Sequence, residues 1–177
     1  MRLLGIDPGL QRTGWGLVDA EANRLRFVAA GAVTTDAALV LAERHVVIYR
    51  GLKEIIAGYR PEAAAVAETV VNRNAASSLK LGQARGVALL AAAHARLPVS
   101  EYASKTVKRA VVGTGAAEKR QVAMMVRTLL PGCSQIGADA ADALAVAICH
   151  AHHRATEIGL AEAMARAHAR LMTELGS

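Results

Sequence analysis

A chain of 177 residues, 53% apolar but only 3% aromatic, has the length for one domain with an aliphatic core. Its formal charge of +6 and pI near 9.8 favour a polyanionic partner, nucleic acid first and an anionic membrane second. Cys133 and Cys149 lie too far apart for a Cys-x-x-Cys zinc site and suggest no disulfide framework, while the short apolar start is broken at Asp7 and no run is long enough to span a bilayer, so a cytoplasmic protein is expected.

Leu3-Leu4-Gly5-Ile6 is a short apolar run closed by Asp7 and a Pro8-Gly9 turn. It reads as a buried strand with a carboxylate at its C-terminal end. Strands are predicted over 2–6, 15–19 and 25–33, joined as an antiparallel meander. Leu39, Ala42, Val46, Tyr49, Leu52, Ile56 and Tyr59 recur at spacings of three and four, one face of a long helix that Gly58 and Pro61 stop. The apolar run 63–71 reads as a central strand carrying one charge, Glu68. A helix over 75–96 and a short strand over 97–102 follow. Ser104 is the expected cap of a helix through Val112 that Gly113 ends. Residues 118–130 are helical, with Val122, Met125, Val126 and Leu129 on one face, and 138–153 form the last core helix. The expected domain spans 1–153, and 154–177 form a helical or disordered tail. Three hairpinned strands followed by strand–helix alternation imply an α/β fold, a mixed five-stranded sheet with helices on both faces in ribonuclease-H-like order.

An aspartate at the end of a buried strand needs a partner or a metal. Asp139 and Asp142 are three apart at the start of a helix, so they share a face at the positive end of its dipole. Turn capping by Asp7 and helix-end electrostatics for the pair are the ordinary alternatives. Taken together, three hard oxygen donors with no His or Cys in a ligand pattern suit Mg2+ or Mn2+ better than zinc. Two such ions about 4 Å apart polarise a phosphodiester, activate water and stabilise the leaving oxygen. His150, His152 and His153 read as solvated or capping groups at a helix end.

Four stretches carry a resemblance: Gly5-Ile6-Asp7-Pro8-Gly9; Asn74 through Leu79-Lys80-Leu81-Gly82-Gln83-Ala84-Arg85-Gly86; Val111-Val112-Gly113 with Ala117-Glu118-Lys119; and Ala138-Asp139-Ala140-Ala141-Asp142-Ala143-Leu144. Together they resemble the RuvC family of Holliday-junction resolvases from residue 1 to about 153. The resemblance implies a homodimer on four-way junction DNA, working with a branch-migration motor. Each subunit would nick one strand with two Mg2+ or Mn2+ ions held by four carboxylates. It assigns Asp7, Asp139 and Asp142 as metal ligands and catalytic residues, and Lys108 and Lys119 as lysines that assist cleavage. It makes the 75–96 helix, with small residues Gly82, Ala84, Gly86, Ala88 and Ala91, the dimer contact. Arg73, Asn74 and Lys80, just past the central strand, are placed to contact phosphate.

One departure stands out. The family's remaining acid falls seven residues before Asn74, where this chain has Ala67. Glu68 is the only acid on that strand, and strand alternation points it to the opposite face unless a bulge intervenes. The family's aromatic near the junction crossover is Val70 here. A junction-binding form that does not cleave is therefore one alternative. An actin-like nucleotide-binding protein, which also opens on a strand and an Asp-x-Gly turn, is another, although that architecture needs two such domains.

Overall fold

The Pro8-Gly9 turn folds β1 (Arg2–Asp7) back against β2 (Arg12–Glu21), which pairs antiparallel with β3 (Arg24–Thr34). In this computed structural model residues 1–22, 24–69, 74–133 and 135–175 are described, the side chains of Glu162 and of 167–175 excepted. Helix α1 (Leu41–Tyr59) carries the chain over to β4 (Ala63–Ala67), parallel to β1. Helix α2 (Ala75–His94) leads to β5 (Val99–Tyr102), parallel to β4, and α3 (Ser104–Val112), α4 (Lys119–Leu129) and α5 (Ala138–Leu175) follow. The sheet runs β3-β2-β1-β4-β5, the mixed five-stranded arrangement predicted above.

Strand alternation divides the core between the two faces. Leu4, Ile6, Leu17 and Val66 meet Ile48, Leu52 and Ile56 of α1 and Ala84 and Ala88 of α2. Leu3, Val18 and Ala65 meet Val107, Val122, Val126, Leu144 and Ile148 of α3, α4 and α5. Glycines let α5 lie directly on the sheet backbone. A Cβ on Gly5 would stand 2.1 Å from the Ala143 carbonyl oxygen, and one on Gly14 would stand 2.1 Å from that of Asp139. Gly14 is the register partner of Asp7, so this close approach roots the start of α5 beside the end of β1.

Several local expectations need correction. The buried stripe of α1 is Ile48, Leu52 and Ile56, whereas Leu39 precedes the helix and Ala42 and Val46 are exposed, because the first turns present Leu41, Arg44 and His45 as their partly buried face. Helix α1 passes through Gly58 and stops at Arg60, which takes the left-handed conformation at φ 51°. Ser104 is the first helical residue of α3 and makes no cap bond; Ala103 holds the cap position. The small residues of α2 do not share one face: Ala84, Ala88 and Ala91 are buried in the chain's own core, while Gly82 and Gly86 face outward with Leu79 and Leu90. His150 is buried and shares a 2.9 Å hydrogen bond with the Tyr102 hydroxyl, so it is neither solvated nor a cap. Helix α5 continues unbroken past residue 153. Both cysteines are buried and free.

Candidate active site

Asp7 projects from the C-terminal end of β1, where the turn leaves little freedom. The Thr13 hydroxyl donates to the Gly9 carbonyl at 2.8 Å, and the Thr35 hydroxyl donates to the Leu10 carbonyl at 2.7 Å. Asp7 and Asp142 line one cavity of about 140 Å³ with Ala67, Glu68, Ser104, Lys108 and Lys119, floored by Val107, Val122, Ala145 and Val146. The C-terminal ends of the three parallel strands and the start of α5 thus meet at one end of the sheet. The sequence gathers here because the apolar floor holds α3, α4 and α5 against β1 while their polar ends are left at the rim.

Charges in this space are strongly coupled. Burial first, and then the neighbouring Asp142 carboxylate, lift Asp7 from the usual 3.8 to about 6; Lys119 pulls it down and Asp139 adds a smaller upward push. Lys119 Nζ donates to Asp142 Oδ2 at 3.0 Å, and this bond and charge raise the lysine above its ordinary value. Asp139, in the first turn of α5, is not on the cavity wall. Its Oδ2 accepts a hydrogen bond from Arg12 Nε at 2.6 Å.

Of the residues singled out in the sequence, Asp7, Asp142, Lys108 and Lys119 come together, and Asp139 stands just outside. Glu68 lines the same cavity as Ala67 because β4 ends at Ala67, so strand alternation no longer governs the next residue. Asn74 caps α2, its side-chain oxygen accepting from the Ser77 N–H at 3.2 Å, and Lys80 lies exposed on α2 away from the cavity. Val70 and Arg73 lie outside the described residues. Sequence reading missed Arg12 and Ser104. Arg12's position next to the Asp7 turn was the only signal, and Ser104 gave none.

Among the described residues no three His, Cys, Asp or Glu side chains are grouped closely enough to hold a metal. Asp7 and Asp142 nevertheless repel one another in a partly buried space, and a cation relieves that repulsion. Two carboxylates completed by water suit a single oxygen-ligated divalent ion. The fourth acid expected from the resemblance is a methyl group, Ala67.

The profile of the family described as Crossover junction endodeoxyribonuclease RuvC matches residues 3–150. The chain belongs to the RuvC family. The RuvC protein of Paramagnetospirillum magneticum is 62% identical over 166 residues, covering 94% of this chain and 100% of that protein. The RuvC protein of Acidiphilium cryptum is 63% identical over 155 residues, covering 88% of this chain and 93% of its own length. A solved structure of Thermus thermophilus RuvC in complex with a Holliday junction substrate is 36% identical, with a TM-score of 0.82 over 89% of this chain and 96% of that one. The yeast mitochondrial resolvase Ydc2, at 12% identity and a TM-score of 0.60, shares the fold.

Proposed function

We propose that this protein is a Holliday-junction resolvase that binds four-way DNA junctions and hydrolyses phosphodiesters with divalent metal, its cleavage weakened by Ala67. The observation that carries the reading is the cavity where Asp7 and Asp142 stand among Lys108 and Lys119, in a chain that belongs to RuvC. Asp7 and Asp142 would hold the ion. A divalent ion held by these two carboxylates would supply polarisation of the phosphodiester and activation of the attacking water. Lys108 and Lys119 set positive charge where negative charge develops on the scissile phosphate. Ser104 offers a hydroxyl to the same phosphate. With Ala67 in place of an acid, the site would offer a second ion one oxygen donor fewer.

The outer face of α2 supports a homodimer: Leu79 is 70% exposed, Leu90 is 59% exposed, and Gly82 and Gly86 between them leave room for a second backbone. DNA recombination and repair in the cytoplasm, beside a branch-migration motor, is the setting this reading implies. No helix among the described residues is long and apolar enough to cross a membrane. A single sheet gives no support to an actin-like nucleotide cleft.

The test is a synthetic four-way junction offered in competition with linear duplex of the same sequence, followed by nicking with Mg2+. Tighter binding to the junction, weakening steeply with salt, is expected. Equal affinity for both DNAs would refute it. Ala67→Glu should raise nicking by orders of magnitude and leave junction affinity nearly unchanged. A second reading, junction binding without cleavage, is favoured by Ala67 and Val70. It is chosen if the chain as it stands binds but never nicks.

A further inference from the structure

We infer that Arg12 is a positioning residue: in the free protein it holds the Asp139 carboxylate off the ion site, and it releases Asp139 when a DNA phosphate takes its guanidinium. The inference rests on the metal-dependent junction reading above.

Arg12 opens β2, at the end of the turn that starts beyond Asp7. Its Nε bonds Asp139 Oδ2, and its other N–H groups meet no further partner among the described residues. A guanidinium carries five donors in a planar fork that matches phosphate. Four of them therefore remain free to engage a strand backbone. The pair is open to solvent, with side-chain exposures of 55% for Arg12 and 36% for Asp139. Exposed pairs of this kind are weak, so a phosphate competes effectively.

The Asp139 backbone starts beside the ion site. Its backbone rests on Gly14, the register partner of Asp7. Asp7 already feels the Asp139 charge, although the side chain is off the cavity wall. Release turns the Asp139 side chain from Arg12 toward Asp7. Asp142, in contrast, already lines the cavity with its Lys119 partner beside it. With Ala67 in place of an acid, the carboxylates left to recruit are Glu68 on the solvent-exposed rim and Asp139, whose backbone is rooted beside Asp7. Phosphate binding thus supplies an oxygen ligand, and ion binding frees a cation for phosphate. Each event favours the other by the same factor.

The probe is Mn2+, titrated calorimetrically into the free protein without DNA. Arg12→Ala should raise Mn2+ affinity roughly threefold to fivefold, the factor an exposed ion pair supplies. Arg12→Lys, which keeps the charge, should stay near wild type. In an Asp139→Asn background the gain from Arg12→Ala should vanish, since the two residues act as one unit. With metal chelated, Arg12→Ala should weaken junction binding and reduce its salt slope by about one. Unchanged Mn2+ affinity in Arg12→Ala, or an equal gain in the Asp139→Asn background, overturns the inference. Wild-type junction binding is scored first. Its failure overturns the functional reading, whereas intact binding with an unresponsive Arg12→Ala overturns only the role of Arg12.

Discussion

Asp7→Asn should make the metal-free protein more stable at neutral pH and leave it unchanged in acid. Asp7 rises from 3.8 to about 6 on folding, chiefly through burial and then through the charge of Asp142. An acid raised in this way is easier to bury protonated. Below the unfolded value of 3.8 Asp7 is neutral in both states and the fold carries no penalty. Between 3.8 and about 6 the unfolded chain has lost the proton while the folded chain keeps it, so stability falls as pH rises. Above that window the whole penalty is present, about 3 kcal/mol from the difference between the two values. The Asn variant never carries it. Urea unfolding in chelator, from about pH 4 to about pH 8, should show a wild-type deficit that opens from nearly zero to about 3 kcal/mol. Added Mg2+ should then close the deficit by stabilising the wild type alone. A difference that stays flat, or reverses as pH rises, would refute the reasoning, because Lys119 would then outweigh burial and Asp142.

Lys119→Ala removes the one cation that lowers Asp7, so the upper end of the pH window just described should move upward while its lower end stays at the unfolded value, as followed by the same unfolding series or by carboxyl NMR. Gly14→Ala drives a methyl to within 2.1 Å of the Asp139 carbonyl oxygen; a loss of about 1–3 kcal/mol and a displaced start of α5, seen as lost nicking, are expected. Leu79→Glu, on an exposed face of α2, should leave monomer stability within about 0.5 kcal/mol and shift sedimentation toward monomer if that face joins two copies.

The fold was legible because local signals agreed with one another. The Asp7-Pro8-Gly9 turn, the apolar run at 63–71, of which 63–67 is strand, and the 122/126 stripe each carry the period or the turn chemistry of the element they form. The inward face of the first turns of α1 was hidden because Leu39, Ala42 and Val46 fit a helical period, while the partly buried positions there are Leu41, Arg44 and His45, two of them polar. Apolar periodicity misses a face on which long polar side chains are partly covered. The site was half legible. Asp7, Asp142, Lys108 and Lys119 could be named because a strand end and helix starts gather at one end of the sheet. The Arg12–Asp139 pair could not, since it joins residues 127 positions apart and depends on how closely α5 sits on Gly14. The burial of His150 was hidden for a similar reason: its partner Tyr102 comes from β5, 48 residues earlier.

Glu68 shows where strand logic stops applying. Alternation sends it away from Ala67 only while the strand lasts, and β4 ends at Ala67. The Glu68 N–H still donates to the Tyr102 carbonyl at 2.9 Å, which anchors its backbone to the neighbouring strand. The side chain therefore leaves a fixed point on the cavity rim, exposed to solvent. It forms no ion-holding group with Asp7 and Asp142 in the described structure. A rim carboxylate keeps its hydration, whereas the position of Ala67, deeper and half-buried, would place an acid against Asp7. Acid at 68 thus adds negative charge near the entrance without supplying the missing ligand. That asymmetry separates the two substitutions: Glu68→Gln should change ion affinity little, and Ala67→Glu should change it strongly. If Glu68→Gln abolished nicking by the wild-type chain, Glu68 would be the working ligand and the cavity would have to close around it when DNA binds.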